Sequence, residues 1–395
     1  MLILILLTLV ACPAVGVTPS VSCNQTPERC GYPLLTPIWT LKSIPAIGAA
    51  QWANNLLVNK GVALGDSRLS QVAVNLDQKT QAWVWPETYD NNSSIIYKDI
   101  ILYNSQTTSL KFLDLNGQLQ KSFPLPVSGE SQDVVGIGNS RFILVGRTLY
   151  IALYRHILAY DIDVLIVATT APAPLWSQKV ASQDGGVLNI GIDETSGALY
   201  YTVRDTWSEG GEGTRLYALD RLNGNPRWNK TLLGEKRWAS LIATPGKVLY
   251  SVSGEPRLTA LDPEGKPLWT SERFVCPDGG TSTFGRLVVY GSQILAMPFG
   301  DHCFSAWDLD TGKRRWVFDS PRFATIDNPP TLVNGVLYTA NTRLWAIEAS
   351  DGKILGVSSQ NLFGAQDITG TVVYDPKRNL LYVWGDELNA FKPIR

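Results

Sequence analysis

Carboxylates recur in this chain at one kind of place. SQD ending at Asp133, SQDGG with Asp184, TID with Asp327 and AQD with Asp367 each stand just ahead of an apolar run, and Asp90 and Asp278 do so less regularly. Carboxylates gathered at one mouth could hold a cation or face a basic partner. The bland alternative is that each caps the backbone amides of its own loop. Arg204, Arg237, Arg273 and Arg322 fall on neighbouring loops and would complement such a ring. Trp207, within RDTWSEGGEGT, is a large ring among acids that either meets a partner or folds back on its own strands. Catalytic sets are scarce: with only His156 and His302, no Ser, His, Asp arrangement is convincing, and no phosphate-cradling glycine loop occurs.

The cysteines speak for export rather than for metal. No CxxC pair exists, so thiolate zinc chemistry is not expected, and CxxCH for haem is absent. The opening MLILILLTLVAC is apolar for too few residues to cross a bilayer and reads as an export signal over residues 1–12. Leu9, Val10, Ala11 and Cys12 fit a bacterial lipobox, in which Cys12 takes the lipid; a secretory signal cut near Gly16 is the alternative. Setting Cys12 aside leaves Cys23, Cys30, Cys276 and Cys303, an even set suited to two disulfides in an oxidising compartment. Sequons at Asn24, Asn91, Asn92 and Asn229 are read as chance matches in a bacterial protein. Lys plus Arg number 34 against 35 for Asp plus Glu, a net charge of −1, so nothing attracts nucleic acid in bulk.

What must position these residues is a repeat. LYALDRLNGNPRW, LTALDPEGKPLW and FSAWDLDTGKRRW each run from an apolar strand through an acidic residue and a tight turn to a Trp. The acidic slot falls at Asp77, Asp114, Asp161, Asp220, Asp262, Asp308 and Glu348, with Lys392 as an eighth occupant. Each copy is preceded by two further apolar runs, which makes four strands, A to D, per unit. Period and pattern predict stacked modules that cannot bury a core alone. The Asp is expected to bind turn amides, a Gly to supply the left-handed position, and the Trp to wedge against the next module. ELNAFKPIR gives a C strand with nothing after it and PIWTLKSI a D strand with nothing before it. Joined, they complete an eighth unit and close a ring without free edges. The expected fold is an all-β, eight-bladed β-propeller over residues 37–395, with residues 13–36 as a tether.

That geometry sends the D–A and B–C loops to one face, so Cys276 and Cys303 can meet there. The same face carries the long segments at 204–214, 271–283, 319–330 and 358–370, and is the expected binding face.

The Ala-Leu-Asp, Gly-Lys and Trp pattern resembles the pyrroloquinoline-quinone-like propeller repeats. Three units depart from it: Thr80 stands for Gly in the first, Lys121 and Phe123 replace Trp in the second, and Gly356 replaces it in the seventh. Two branches of that family differ in function. Quinoprotein dehydrogenases would imply a quinone stacked on Trp, a calcium ion, a catalytic Asp and two adjacent cysteines, and adjacent cysteines are missing. The small propeller lipoproteins, similar to a subunit of the outer-membrane β-barrel assembly machinery, imply a non-catalytic scaffold without cofactor. Protein partners in the cell envelope, a monomeric state, and contact with the membrane only through a lipid anchor follow from that reading. The alternative is a propeller that binds a quinone, glycan or cation.

Overall fold

In the computed structural model the repeats fold as meanders of four antiparallel strands, and eight such sheets form. The structure describes residues 31–42, 56–66, 71–85, 94–104, 109–126, 141–153, 155–180, 187–204, 214–232, 239–252, 254–277, 284–298, 303–319, 330–340, 342–359, 362, 371–384 and 387–395. Blades 1 to 7 span 56–85, 94–124, 141–179, 187–231, 239–270, 284–319 and 331–358; blade 8 joins 372–391 to Trp39–Leu41. The A strands are the inner strands, and those of blades 4, 5 and 6, and of blades 7, 8, 1 and 2, lie against one another in turn. All A–B and C–D turns emerge on one face, called here the short-turn face.

The core sits between blades, not within them. Among the described residues eight buried clusters occur, and each draws residues from two neighbouring blades. Leu295, Phe304 and Trp316 of blade 6, for example, pack with Leu337, Trp345 and Val357 of blade 7. A single blade therefore has two apolar faces and no interior, which is why the sequence has to repeat. The ring closes through Leu56, Ala63 and Val72 of blade 1 against Tyr382, Trp384 and Ala390 of blade 8. Trp39 pairs with Ala390, the Ile38 amide donates to the Ala390 carbonyl at 2.8 Å, and Thr40 Oγ1 donates to Asn389 Oδ1 at 2.7 Å.

The acidic slot and the Trp act on the same joint from opposite sides. Asp262 Oδ1 accepts the amides of Glu264 and Lys266 at 3.0 and 2.8 Å, which holds the C–D turn in shape. The Trp of the preceding blade lies on that turn and donates its indole N–H to a turn carbonyl. The pairs are Trp83 to Leu115 at 2.9 Å, Trp176 to Arg221 at 3.0 Å, Trp228 to Pro263 at 2.7 Å, Trp269 to Leu309 at 3.2 Å and Trp316 to Ala349 at 3.1 Å. Glycine is required under the ring: at Gly312, with φ +67°, an added Cβ would stand 2.4 Å from the Trp269 ring.

Asp308 makes this turn sensitive to acid. Its carboxylate accepts Arg315 Nη2 at 2.6 Å, Thr311 Oγ1 at 2.9 Å and the amides of Asp310 and Thr311 at 3.1 and 2.9 Å. Arg315 first, then Thr311, hold its pKa well below the usual carboxylate range. A depressed folded pKa stabilises the fold above the unfolded pKa and is lost as pH falls through the folded one. Asp308→Asn should therefore lower the melting temperature at neutral pH. The gap from the parent should narrow steadily below about pH 4, and a gap that stays constant to pH 2 would contradict the assignment.

Two sequence assignments need correction in blade 1. The slot is held by Asn75, not Asp77: Asn75 pairs with Val62 and its Oδ1 accepts the amides of Asp77 and Gln78 at 3.0 and 2.9 Å. An amide oxygen binds the turn as a carboxylate does, so an acid was not needed. Asp77 instead pairs with Arg378 of blade 8, across the closure. The left-handed turn position is Lys79, with φ 57°, rather than Thr80, and its Nζ stands 5.7 Å above the Trp39 ring. A cation over the ring replaces a glycine beneath it.

The other departures each match a change in the turn they should meet. Lys121 occupies the Trp register in blade 2, opposite Phe112. Blade 3 offers no glycine turn there, because Asp161 caps a short helix, Ile162–Val167, inserted between its C and D strands. Lys121 Nζ donates to the carbonyls of Leu165, Ile166 and Ala168 at the end of that helix. In blade 7 the Trp register falls on Gly356, opposite Ala346. Blade 8 takes its D strand from residues 39–41, so no C–D turn is there to receive a Trp. Leu34–Leu35, within the stretch read as a tether, fills the space as a fifth strand running parallel to strand D of blade 7. The Val357 amide donates to the Pro33 carbonyl at 3.0 Å, and a Cβ on Gly356 would come within 3.1 Å of that oxygen.

Candidate functional site

The residues marked by sequence for binding distribute unevenly over the described structure. Trp207, Arg237, Arg322, Asp133, Asp184, Asp327 and Asp367, with Asp90 and Asp278, lie outside the described residues, as do Cys12, Cys23, Cys30 and His302. Arg204 is the last residue of strand B in blade 4, paired with Thr214. Arg273 is exposed on the segment that leaves blade 5.

Residues 271–277 form the best-defined piece of the frame these residues stand on. The segment crosses from the outer strand of blade 5 to blade 6 and is fixed at four points. Ser271 and Phe274 amides donate to the carbonyls of Leu258 and Pro256, each at 2.8 Å. The Phe274 ring is fully buried, 5.3 Å from Phe284 and 6.2 Å from Trp307. Glu272 pairs with Arg314 at 3.3 Å. Cys276 and Cys303 are joined in a disulfide with 6.1 Å between Cα atoms. Alternate residues point inward, so Arg273 and Val275 are left outward on a rigid base. The Phe274 anchor carries no local signal, because its partners come from strands A and C of the next blade.

The disulfide spans a sequence separation of 27 residues. In the chain-entropy account, replacing both cysteines by serine should cost about 3 kcal/mol in urea unfolding. A loss under about 1 kcal/mol would mean that the apolar anchors alone hold the segment.

A second fixed feature runs around the inner wall. Asn189 Nδ2 donates to the Ala239 carbonyl, Ser240 Oγ to Phe284, Tyr290 OH to Pro330 and Thr331 Oγ1 to Val372. Each bond ties one inner strand to the next, from blade 4 round to blade 8. Burial pushes the Tyr290 phenol upward in pKa, so it remains a donor at physiological pH. The accepting carbonyls sit at the starts of inner strands, on the long-loop side. Asp184 and Asp327 lie three residues ahead of Val187 and Pro330 in sequence. Loops that start from this wall start from fixed points. Among the described residues no three His, Cys, Asp or Glu side chains gather as a metal site. The described disulfide joins distant residues rather than the adjacent pair a quinoprotein dehydrogenase would need.

Comparison with known proteins agrees with this architecture. Residues 212–275 match the family described as outer membrane protein assembly factor BamB. No curated protein matches the chain in sequence. BamB from Moraxella catarrhalis superposes with a TM-score of 0.58 at 13% identity, covering 91% of this chain and 100% of that one. Quinohemoprotein alcohol dehydrogenase from Comamonas testosteroni gives 0.62 at 12% identity over 92% and 77% of the two chains. The computationally designed Ika8 protein gives 0.59 at 10% identity over 86% and 95%. Identities this low establish the fold alone. The chain is thus an eight-bladed propeller that resembles the outer membrane protein assembly factor BamB in sequence over residues 212–275 and in fold across the ring.

Proposed function

We propose that the chain is a non-catalytic scaffold of the cell envelope, exported, monomeric and held to a membrane through a lipid on Cys12. Its partner is a protein that docks on the long-loop face. The observation that carries this reading is the stapled segment 271–277, where a disulfide and a buried Phe274 spend their stabilisation on presenting Arg273 and Val275 outward. A preformed surface binds without the ordering cost of a loose one. The likeness of residues 212–275 to an assembly factor points the same way. Trp207, Arg204, Arg237 and the loop aspartates Asp133, Asp184, Asp327 and Asp367 would complete the contact.

A photo-crosslinking residue at position 273, used in native envelopes, should capture a discrete protein partner, and the same probe at Arg227 on the short-turn face should not. Purified protein carrying a stoichiometric quinone, glycan or cation, seen by absorbance and mass spectrometry, would replace the scaffold with the small-molecule reading.

A further inference from the structure

The short-turn face carries a feature that the docking series does not use. In the helix Ile162–Val167, Ile162 and Leu165 are buried, while Val164 and Val167 on the other side are 47% and 77% exposed. A helix apolar on both sides normally has both sides covered. Residues 164–175 contain no charged side chain, and the segment ends in Leu175, 60% exposed. Leu222, on the C–D turn of blade 4, is 71% exposed. It belongs to the same rim, because Trp176, next to Leu175, donates to the carbonyl of Arg221, next to Leu222. The charges beside the helix's start pair with one another, Lys98 with Asp163 at 2.7 Å and Arg147 with Asp161 and Asp163 at 2.9 and 3.1 Å, while the Lys121 ammonium is held on carbonyls at its end. What remains outermost is an apolar prominence.

The direction of the N-terminal strand says what covers it. Strand D of blade 7 runs away from the short-turn face, and Leu34–Leu35 runs parallel to it. The chain therefore enters Leu34 from the short-turn side, where Tyr32 packs into the cluster between blades 6 and 7. In sequence the apolar run at residues 1–12 precedes this entry point. Among the described residues no helix is long and apolar enough to cross a bilayer. We propose that the short-turn face rests on a bilayer surface, with Val164, Val167, Leu175 and Leu222 entering its uncharged outer layer. The long-loop face then points into the aqueous compartment. Tethering raises the effective concentration of a wedge that binds only weakly by itself. The proposal rests on the envelope reading above but not on the identity of the partner.

The test is hydrogen exchange of the full chain with and without phosphatidylcholine vesicles. Vesicles should slow the amides of 162–175 and 221–224 by about tenfold or more. Val167→Asp with Leu222→Asp should abolish that protection while circular dichroism and the Cys276–Cys303 bond stay intact. In a Cys12→Ser variant the protection should weaken yet remain at the same residues, which separates the wedge from the lipid anchor. Protection equal in the double variant, none at 162–175 with vesicles, or protection that comes only with a protein partner would each overturn the proposal.

Discussion

Trp316→Ala should unfold the ring at a denaturant concentration corresponding to a loss of about 3–5 kcal/mol. Trp316 is 8% exposed, lies over Gly352, and stands 5.7 Å from Phe304 in an edge-on contact. Removing it opens a cavity between blades 6 and 7, and the Ala349 carbonyl loses one of its donors at 3.1 Å. Neither blade can close over the gap, because each is held by its other neighbour around the ring. The midpoint in urea should fall while the slope stays constant. A loss under about 1 kcal/mol would show that the joint is held by the strand pairs alone and that the docking rings are dispensable.

Lys121 should prove as important to its joint, for a different reason. An ammonium has three donors, and Lys121 Nζ places them on three carbonyls, Leu165, Ile166 and Ala168. It passes between Phe112 and Phe123, with ring centroids at 4.8 and 5.0 Å. Lys121→Met keeps the stem and removes the charge, and should cost about 2–3 kcal/mol, with faster hydrogen exchange in 162–168. Lys121→Trp restores the repeat pattern yet should be at least as damaging, since blade 3 presents helix carbonyls where other blades present a glycine. Wild-type stability in Lys121→Trp would contradict this account of the joint.

Much of the ring was legible before folding. Alternating apolar strands, the turn acids and the recurring Trp predict blades with two apolar faces, and such blades must stack until they close. The split unit of Trp39 and Phe391 then sets the count at eight, and the pairing of Trp39 with Ala390 agrees. Cys276 and Cys303 could be joined on paper, because strand order alone sends their loops to one face. The candidate site was legible only as positions. Loop residues such as Trp207 and Asp327 carry no period, so nothing in the pattern fixes their neighbours.

Periodicity along the chain is local physics: a residue's type, its spacing and the turn that follows determine strands, turns, blade number and closure. What stands opposite a residue across a joint is not local. Asn75 serving for an acid, Lys121 answering a helix, Gly356 making room for Leu34–Leu35 and Phe274 anchoring the stapled segment all depend on side chains from another blade. Those contacts exist only after the ring has brought distant segments to van der Waals distance, and for that reason the tertiary structure alone decided them.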